Sequence, residues 1–185
     1  MQPRIPRQPA QEQDCRLPAA VADDARLSDA LTSVIAGARR RAVRDGDRQM
    51  DTAHLLHSLL EHDPDVYAVV GDGPHLARLL GYLVQRTIGY GLRWQGTVED
   101  SGAVPVVMAG EGFSPLAAAA MGHARRRAAH RGDGEARGVD LLAAILADPQ
   151  ARAVEVLEHA GIDARALRTR IDRHPDTYAD GENGR

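Results

Sequence analysis

His54, His57 and Glu61 stand at i, i+3 and i+7. On a helix this spacing puts two imidazoles and a carboxylate on one face, a geometry compatible with a divalent metal. It is also common by chance, and a polar face or a partly buried histidine explains it better, so no metal ligand is assigned. Cys15 is the only thiol; it lies among Pro, Gln and charged residues with no fixed base beside it, and no Ser sits in a G-x-S-x-G elbow. All 23 basic residues are Arg, which removes at once the lysine of a phosphate-gripping loop, a Schiff-base lysine and a lysine general base. The chain is therefore read as a non-enzyme with no cofactor.

The basic clusters are Arg39-Arg40-Arg41 and Arg125-Arg126-Arg127. Three consecutive residues sweep about 200° around a helix, so neither triplet is wholly buried or gathered on one side. With Arg44 and Arg131 each makes a basic helix end, which suits the C-terminal dipole. Arg39 and Arg125 are candidates for docking an acidic partner. A net charge of −3 and a pI of about 6.2 provide no global positive field, which disfavours nucleic acid as a partner. At 3% aromatic residues, few platforms remain for stacking bases. No segment approaches the roughly 18 apolar residues of a membrane span, and the first residues contain no apolar signal region. With a single cysteine and no disulfide framework, a cytoplasmic location is expected.

These residues need elements to hold them. Residues 1–24, with Pro3, Pro6, Pro9 and Pro18, offer no apolar period and are expected to form a flexible tail, as are the polar residues 174–185. Between them the chain repeats at a shift of about 86 residues: Ser28 falls on Ser114, Ala38 to Ala42 on Ala124 to Ala128, Gly46-Asp47 on Gly132-Asp133, and Leu55-Leu56 on Leu141-Leu142. Collinear agreement across residue types indicates a duplication, with one repeat at 25–92, a connector at 93–112 and a second repeat at 113–173. In the first repeat, Ser28 caps a helix ending at Gly46, and Thr52 caps the next, with the leucines on one face and His54, His57 and Glu61 on the other. Helices follow from Pro64 and Pro74. The second repeat reads the same way, with helices from Ser114, Val139, Ala151 and Asp163. No segment reads convincingly as a strand. The expected fold is all-α, with about eight helices in two four-helix units related by an approximate twofold axis.

Two pieces per repeat carry a family resemblance. One is the helix opening Arg26-Leu27-Ser28 or Gly112-Phe113-Ser114-Pro115. The other is Asp51-Thr52-Ala53-His54-Leu55-Leu56 or Arg137-Gly138-Val139-Asp140-Leu141-Leu142, each similar to Gly-Thr-Glu-His-Ile/Leu-Leu. On these, residues 26–172 resemble the Clp repeat domain, the paired N-terminal module of Clp unfoldases of the ClpA and ClpC type. The resemblance implies a compact pseudo-twofold bundle that docks substrates and adaptors. It also implies two phosphoarginine pockets, in which a helix-opening hydroxyl holds the phosphate and the Glu of Gly-Thr-Glu-His holds the guanidinium. Here Ser28 and Ser114 keep the hydroxyl, or serve only as helix caps, while Ala53 and Val139 replace the acids; Asp140 is the nearest alternative carboxylate. The aromatic before the helix-opening hydroxyl lines the groove between repeats in the family, which makes Phe113 and its counterpart Leu27 either core residues or contacts for a peptide or small cyclic ligand.

No GxxxxGK(S/T) stretch occurs, so the ATPase of an unfoldase is not part of this sequence. The resemblance implies a free-standing recognition protein that acts as adaptor, decoy or regulator of a Clp system, with the unfoldase, its adaptors or its clients as partners. Sequestration of a cyclic peptide antibiotic is the alternative, and DNA-binding regulation a weaker one.

Overall fold

A computed structural model describes residues 25–71, 73–87, 99 and 112–173. The expected tails, most of the connector, and the end of the first repeat at 88–92 lie outside the described residues, as does Cys15. Helix α1 (Asp29–Asp45) opens where the Ser28 hydroxyl accepts from Leu31 N–H, and it closes at Gly46, whose φ of 74° is left-handed. Leu31, Val34, Ala38 and Ala42 recur at helical spacing and are buried. Helix α5 (Pro115–Arg131) repeats each feature: Ser114 accepts from Ala117 N–H, Gly132 has a φ of 78°, and Leu116, Ala120, Ala124 and Ala128 face inward.

The first repeat continues with α2 (Thr52–His62), α3 (Pro64–Val70) and α4 (Pro74–Thr87), and the second with α6 (Gly138–Ile145), α7 (Arg152–His159) and α8 (Ala164–Arg173). The fold is all-α, with eight helices among the described residues, as the sequence led us to expect. The cap of α2 is Asp51, not Thr52. The Asp51 carboxylate accepts from His54 N–H at 3.0 Å and Thr52 becomes the first helical residue, because its hydroxyl is engaged elsewhere.

The repeats are joined by short extended segments that the sequence reading lacked. Strand β1 (Arg26–Leu27) pairs in parallel with β2 (Glu135–Ala136), matching Leu27 with Ala136. A single bridge joins Met50 to Phe113, also in parallel. The repeat shift carries Leu27 onto Phe113 and Met50 onto Ala136, so the two pairings are the same contact made twice with the repeats exchanged. Ser28 N–H donates to Ala136 O at 3.0 Å and Ser114 N–H to Met50 O at 2.7 Å. Helix packing follows the same exchange: α2 meets α7 as α6 meets α3, while α2 and α6 meet each other. Each repeat therefore completes the other, as an approximate twofold axis requires.

Helix α2 is central. Leu55, Leu56 and Leu59 are wholly buried, which stabilises the bundle by roughly 1.5 to 3 kcal/mol per side chain. His54 and His57 are buried too, which favours the expected buried histidine over a polar face shared with Glu61; of the three only Glu61 is exposed. The reason is that α1 covers one side of α2 while α6 and α7 of the other repeat cover another.

The repeats approach closely where Asp63, the cap of α3, meets the start of α6. Asp63 Oδ1 accepts from Asp65 and Val66 N–H at 3.0 and 3.1 Å. Burial pushes its carboxyl above the ordinary range, against the opposing effect of the Val66, Asp65 and Gly138 amides. A Cβ at Gly138 would fall on this carboxylate, 2.8 Å from Asp63 Cγ and 3.0 Å from Leu59 Cδ2. Asp63 is anchored by its cap and Leu59 by the core, so neither yields easily. Gly138→Ala should cost about 2 to 3 kcal/mol and lower the melting temperature by roughly 5 to 10 °C. An unchanged melting curve would show that this contact relaxes freely.

Candidate functional site

Three helix starts converge on one carboxylate. Glu99, from the connector, is 4% exposed. Its Oε2 accepts from Thr52 N–H at 2.9 Å and from the Ser114 hydroxyl at 2.8 Å. Its Oε1 accepts from Arg152 N–H at 2.8 Å and from the Thr52 hydroxyl. Thr52 and Arg152 are the first residues of α2 and α7, so two free amides and two helix dipoles face the anion. The network is closed: Thr52 Oγ1 also accepts from Ala153 N–H at 3.1 Å, and Ser114 Oγ from Ala117 N–H at 3.1 Å. Beside it the buried Arg152 Nη1 lies 2.7 Å from Asp51 Oδ2, an ion pair across the repeats. The arrangement holds an anion by donors from both repeats, and the anion it holds is the protein's own.

The hydroxyl expected to serve a ligand phosphate is thus committed to Glu99 at Ser114, which is 1% exposed. Ser28 is half-buried and caps α1. Ala53 and Val139 are buried in the core. Asp140 holds a guanidinium, but an internal one. Arg131 reaches both of its oxygens, Nη2 to Oδ2 at 2.7 Å, and Arg127 Nε lies 3.3 Å from Oδ1. Arg131 also donates to Asp133 at 2.9 Å. Hydrogen bonds to Asp140 push the Arg131 guanidinium further up. The Arg137 hydrogen bond holds the Asp133 carboxyl below its usual range against the cost of partial burial. The basic end expected on α5 is therefore largely neutralised: Arg131 serves Asp133 and Asp140, and Arg127 pairs with Asp172 at 2.7 Å.

Arg39 and Arg40 line an open groove along α1, of about 700 Å³, together with Leu27, Thr32, Ile35, Ala36 and Val43. Val43 is 75% exposed, the most exposed large apolar residue among those described. Leu27 belongs to this groove, whereas its counterpart Phe113 is buried at 8% exposure against Met50. Arg125, the counterpart of Arg39, is half-buried. The predicted residues therefore divide: Leu27 and Arg39 come together on one surface, and Ser114 joins the buried carboxylate network.

Sequence reasoning missed Glu99, and no local signal marks it. It stands beside Asp100 in a stretch with no periodicity, and its donors lie 15, 47 and 53 positions away. No family model matches the chain, and no curated protein is similar enough to it to count as a match.

Proposed function

We propose that this chain is a non-catalytic recognition protein of the Clp-repeat kind that works in the cytoplasm as adaptor, decoy or regulator of a Clp unfoldase or protease. The observation that supports this most is the α1 groove, whose lining combines apolar Leu27, Ile35, Ala36 and Val43 with Arg39 and Arg40. Such a surface suits a peptide segment that pairs apolar side chains with acidic ones, as a client, an adaptor or the unfoldase would present. Against DNA stands the net charge of −3, which provides no overall positive field for a phosphate backbone, and Arg41, Arg127, Arg131, Arg137 and Arg152 are each paired with a carboxylate.

A second reading, sequestration of a cyclic peptide, is favoured by the groove's volume, which falls in the range of small-molecule sites. Native capture with mass spectrometry separates the two. Recovery of Clp subunits or clients supports the first, a retained low-mass peptide supports the second, and recovery of neither would contradict both.

Phosphoarginine is expected to bind poorly. Neither Ala53 nor Val139 supplies an acceptor for a guanidinium, and the Ser114 hydroxyl is engaged by Glu99. Two lost charge-assisted bonds per pocket correspond to at least about a hundredfold weaker affinity than in a Clp repeat that keeps its acids. Calorimetry with free phosphoarginine measures this directly, and tight binding would show that a carboxylate other than Asp140 has taken the role.

A further inference from the structure

The two repeats differ at one corner in a way that changes its chemistry. In the second, the Arg131 guanidinium lies between Asp133 and the wholly buried Asp140. The repeat shift carries Arg131, Asp133 and Asp140 onto Asp45, Asp47 and His54. A carboxylate stands where the guanidinium would be, and an imidazole where the buried carboxylate would be.

His54 is 2% exposed, and its Nε2 has no hydrogen-bond partner among the described residues; neither has the shielded Asp45 Oδ1. Nε2 lies 3.5 Å from Asp45 Oδ2 and 3.3 Å from Asp47 Oδ2. All three ligand atoms lie within 4.8 Å of one another. A buried imidazole nitrogen thus lies within ion-pairing distance of two carboxylates and makes a hydrogen bond to neither.

We propose that Asp45, Asp47 and His54 bind a divalent metal ion, with zinc the best fit, which supplies in the first repeat the positive charge that Arg131 supplies in the second. Ligand bonds of about 2.0 to 2.2 Å place tetrahedral donor atoms about 3.3 Å apart, close to both observed separations. One imidazole with two carboxylates suits zinc, cobalt or manganese; calcium and magnesium prefer all-oxygen sites. Three protein ligands leave a position for water, and the Asp47 side chain, 29% exposed, opens a route to solvent.

The Asp51 carboxylate holds the other nitrogen of the same ring. Asp51 Oδ1 lies 2.8 Å from His54 Nδ1. With its proton on Nδ1, the ring donates to Asp51 and turns the Nε2 lone pair towards the carboxylates. In the opposite tautomer Nδ1 accepts Asp51 N–H at 3.1 Å and Nε2–H faces them; the ion selects the first form.

The test is a zinc titration of the full, chelator-stripped chain by calorimetry, with nitrogen NMR of the His54 ring. The expected result is binding that weakens at least about tenfold in Asp47→Asn and in Asp45→Asn, and is unchanged in Asp133→Asn. Zinc should also move the His54 Nε2 signal to a metal-bound position. Asp47 is partly exposed, so its substitution spares the core, and the NMR readout on the unaltered protein stands even if Asp45→Asn fails to fold. The proposal is overturned by absence of zinc binding at millimolar concentration, by binding equally tight in the Asp45→Asn/Asp47→Asn double variant, or by a His54 ring that zinc leaves unchanged.

Discussion

Replacing Glu99 by alanine should destabilise the protein by at least about 3 kcal/mol, because four buried donors lose their acceptor together. For a chain of this size that corresponds to a fall in melting temperature of roughly 6 to 12 °C. Acetate at tens of millimolar should restore part of the loss in Glu99→Ala and none in the unaltered protein, because the vacated place keeps two helix amides and two hydroxyls aimed at an anion. Glu99→Gln should fall between the two, since the amide keeps one acceptor oxygen but turns an NH2 towards donors. A Glu99→Ala variant that melts with the parent would mean that the Glu99 carboxylate contributes nothing to the fold.

The second large effect is expected at Arg152. Its guanidinium and Asp51 are both buried, and they join the start of α7 to the cap of α2. Arg152→Met keeps much of the apolar stem but takes the guanidinium away from the buried Asp51 carboxylate, a loss of about 3 to 5 kcal/mol. That is a large fraction of the 5 to 15 kcal/mol typical of a folded domain, so the variant should be partly unfolded near its working temperature. Asp51→Ser retains a helix cap and removes the charge. The double variant Asp51→Ser/Arg152→Met should therefore be more stable than the sum of the single losses predicts, by at least about 1 kcal/mol. Strict additivity in chemical denaturation would show that the pair is not coupled.

The helices were legible because their ends are written in residues with one local meaning. Ser28 and Ser114 begin helices, Gly46 and Gly132 end them, and Pro64 and Pro74 stand at first positions. Asp51 and Thr52 are both competent caps, and the choice between them depends on Glu99, which occupies Thr52 from 47 positions away. The burial of His54 and His57 was hidden for a related reason: the apolar period of α2 marks the face that α1 needs but cannot reveal that the opposite repeat covers the remainder. Two-residue strands have no period at all, so β1 and β2 left no trace. Leu27 and Phe113 were correctly paired by the repeat, yet only the partner across the axis decides which one opens onto a groove. The change from Arg131 and Asp140 to Asp45 and His54 is visible in the aligned repeats, but its consequence depends on side chains from separate turns meeting at one point.

The decisive experiment for the recognition reading is a reconstituted degradation assay with a Clp unfoldase and protease from the same source, in which the rate of client loss is followed with and without this chain. An adaptor should accelerate it and a decoy should slow it. Either effect should disappear in Ile35→Asp/Val43→Asp, which places two carboxylates in the groove lining shared with Arg39 and Arg40. A rate that does not respond to the chain, or a response that survives the groove substitutions, would contradict it.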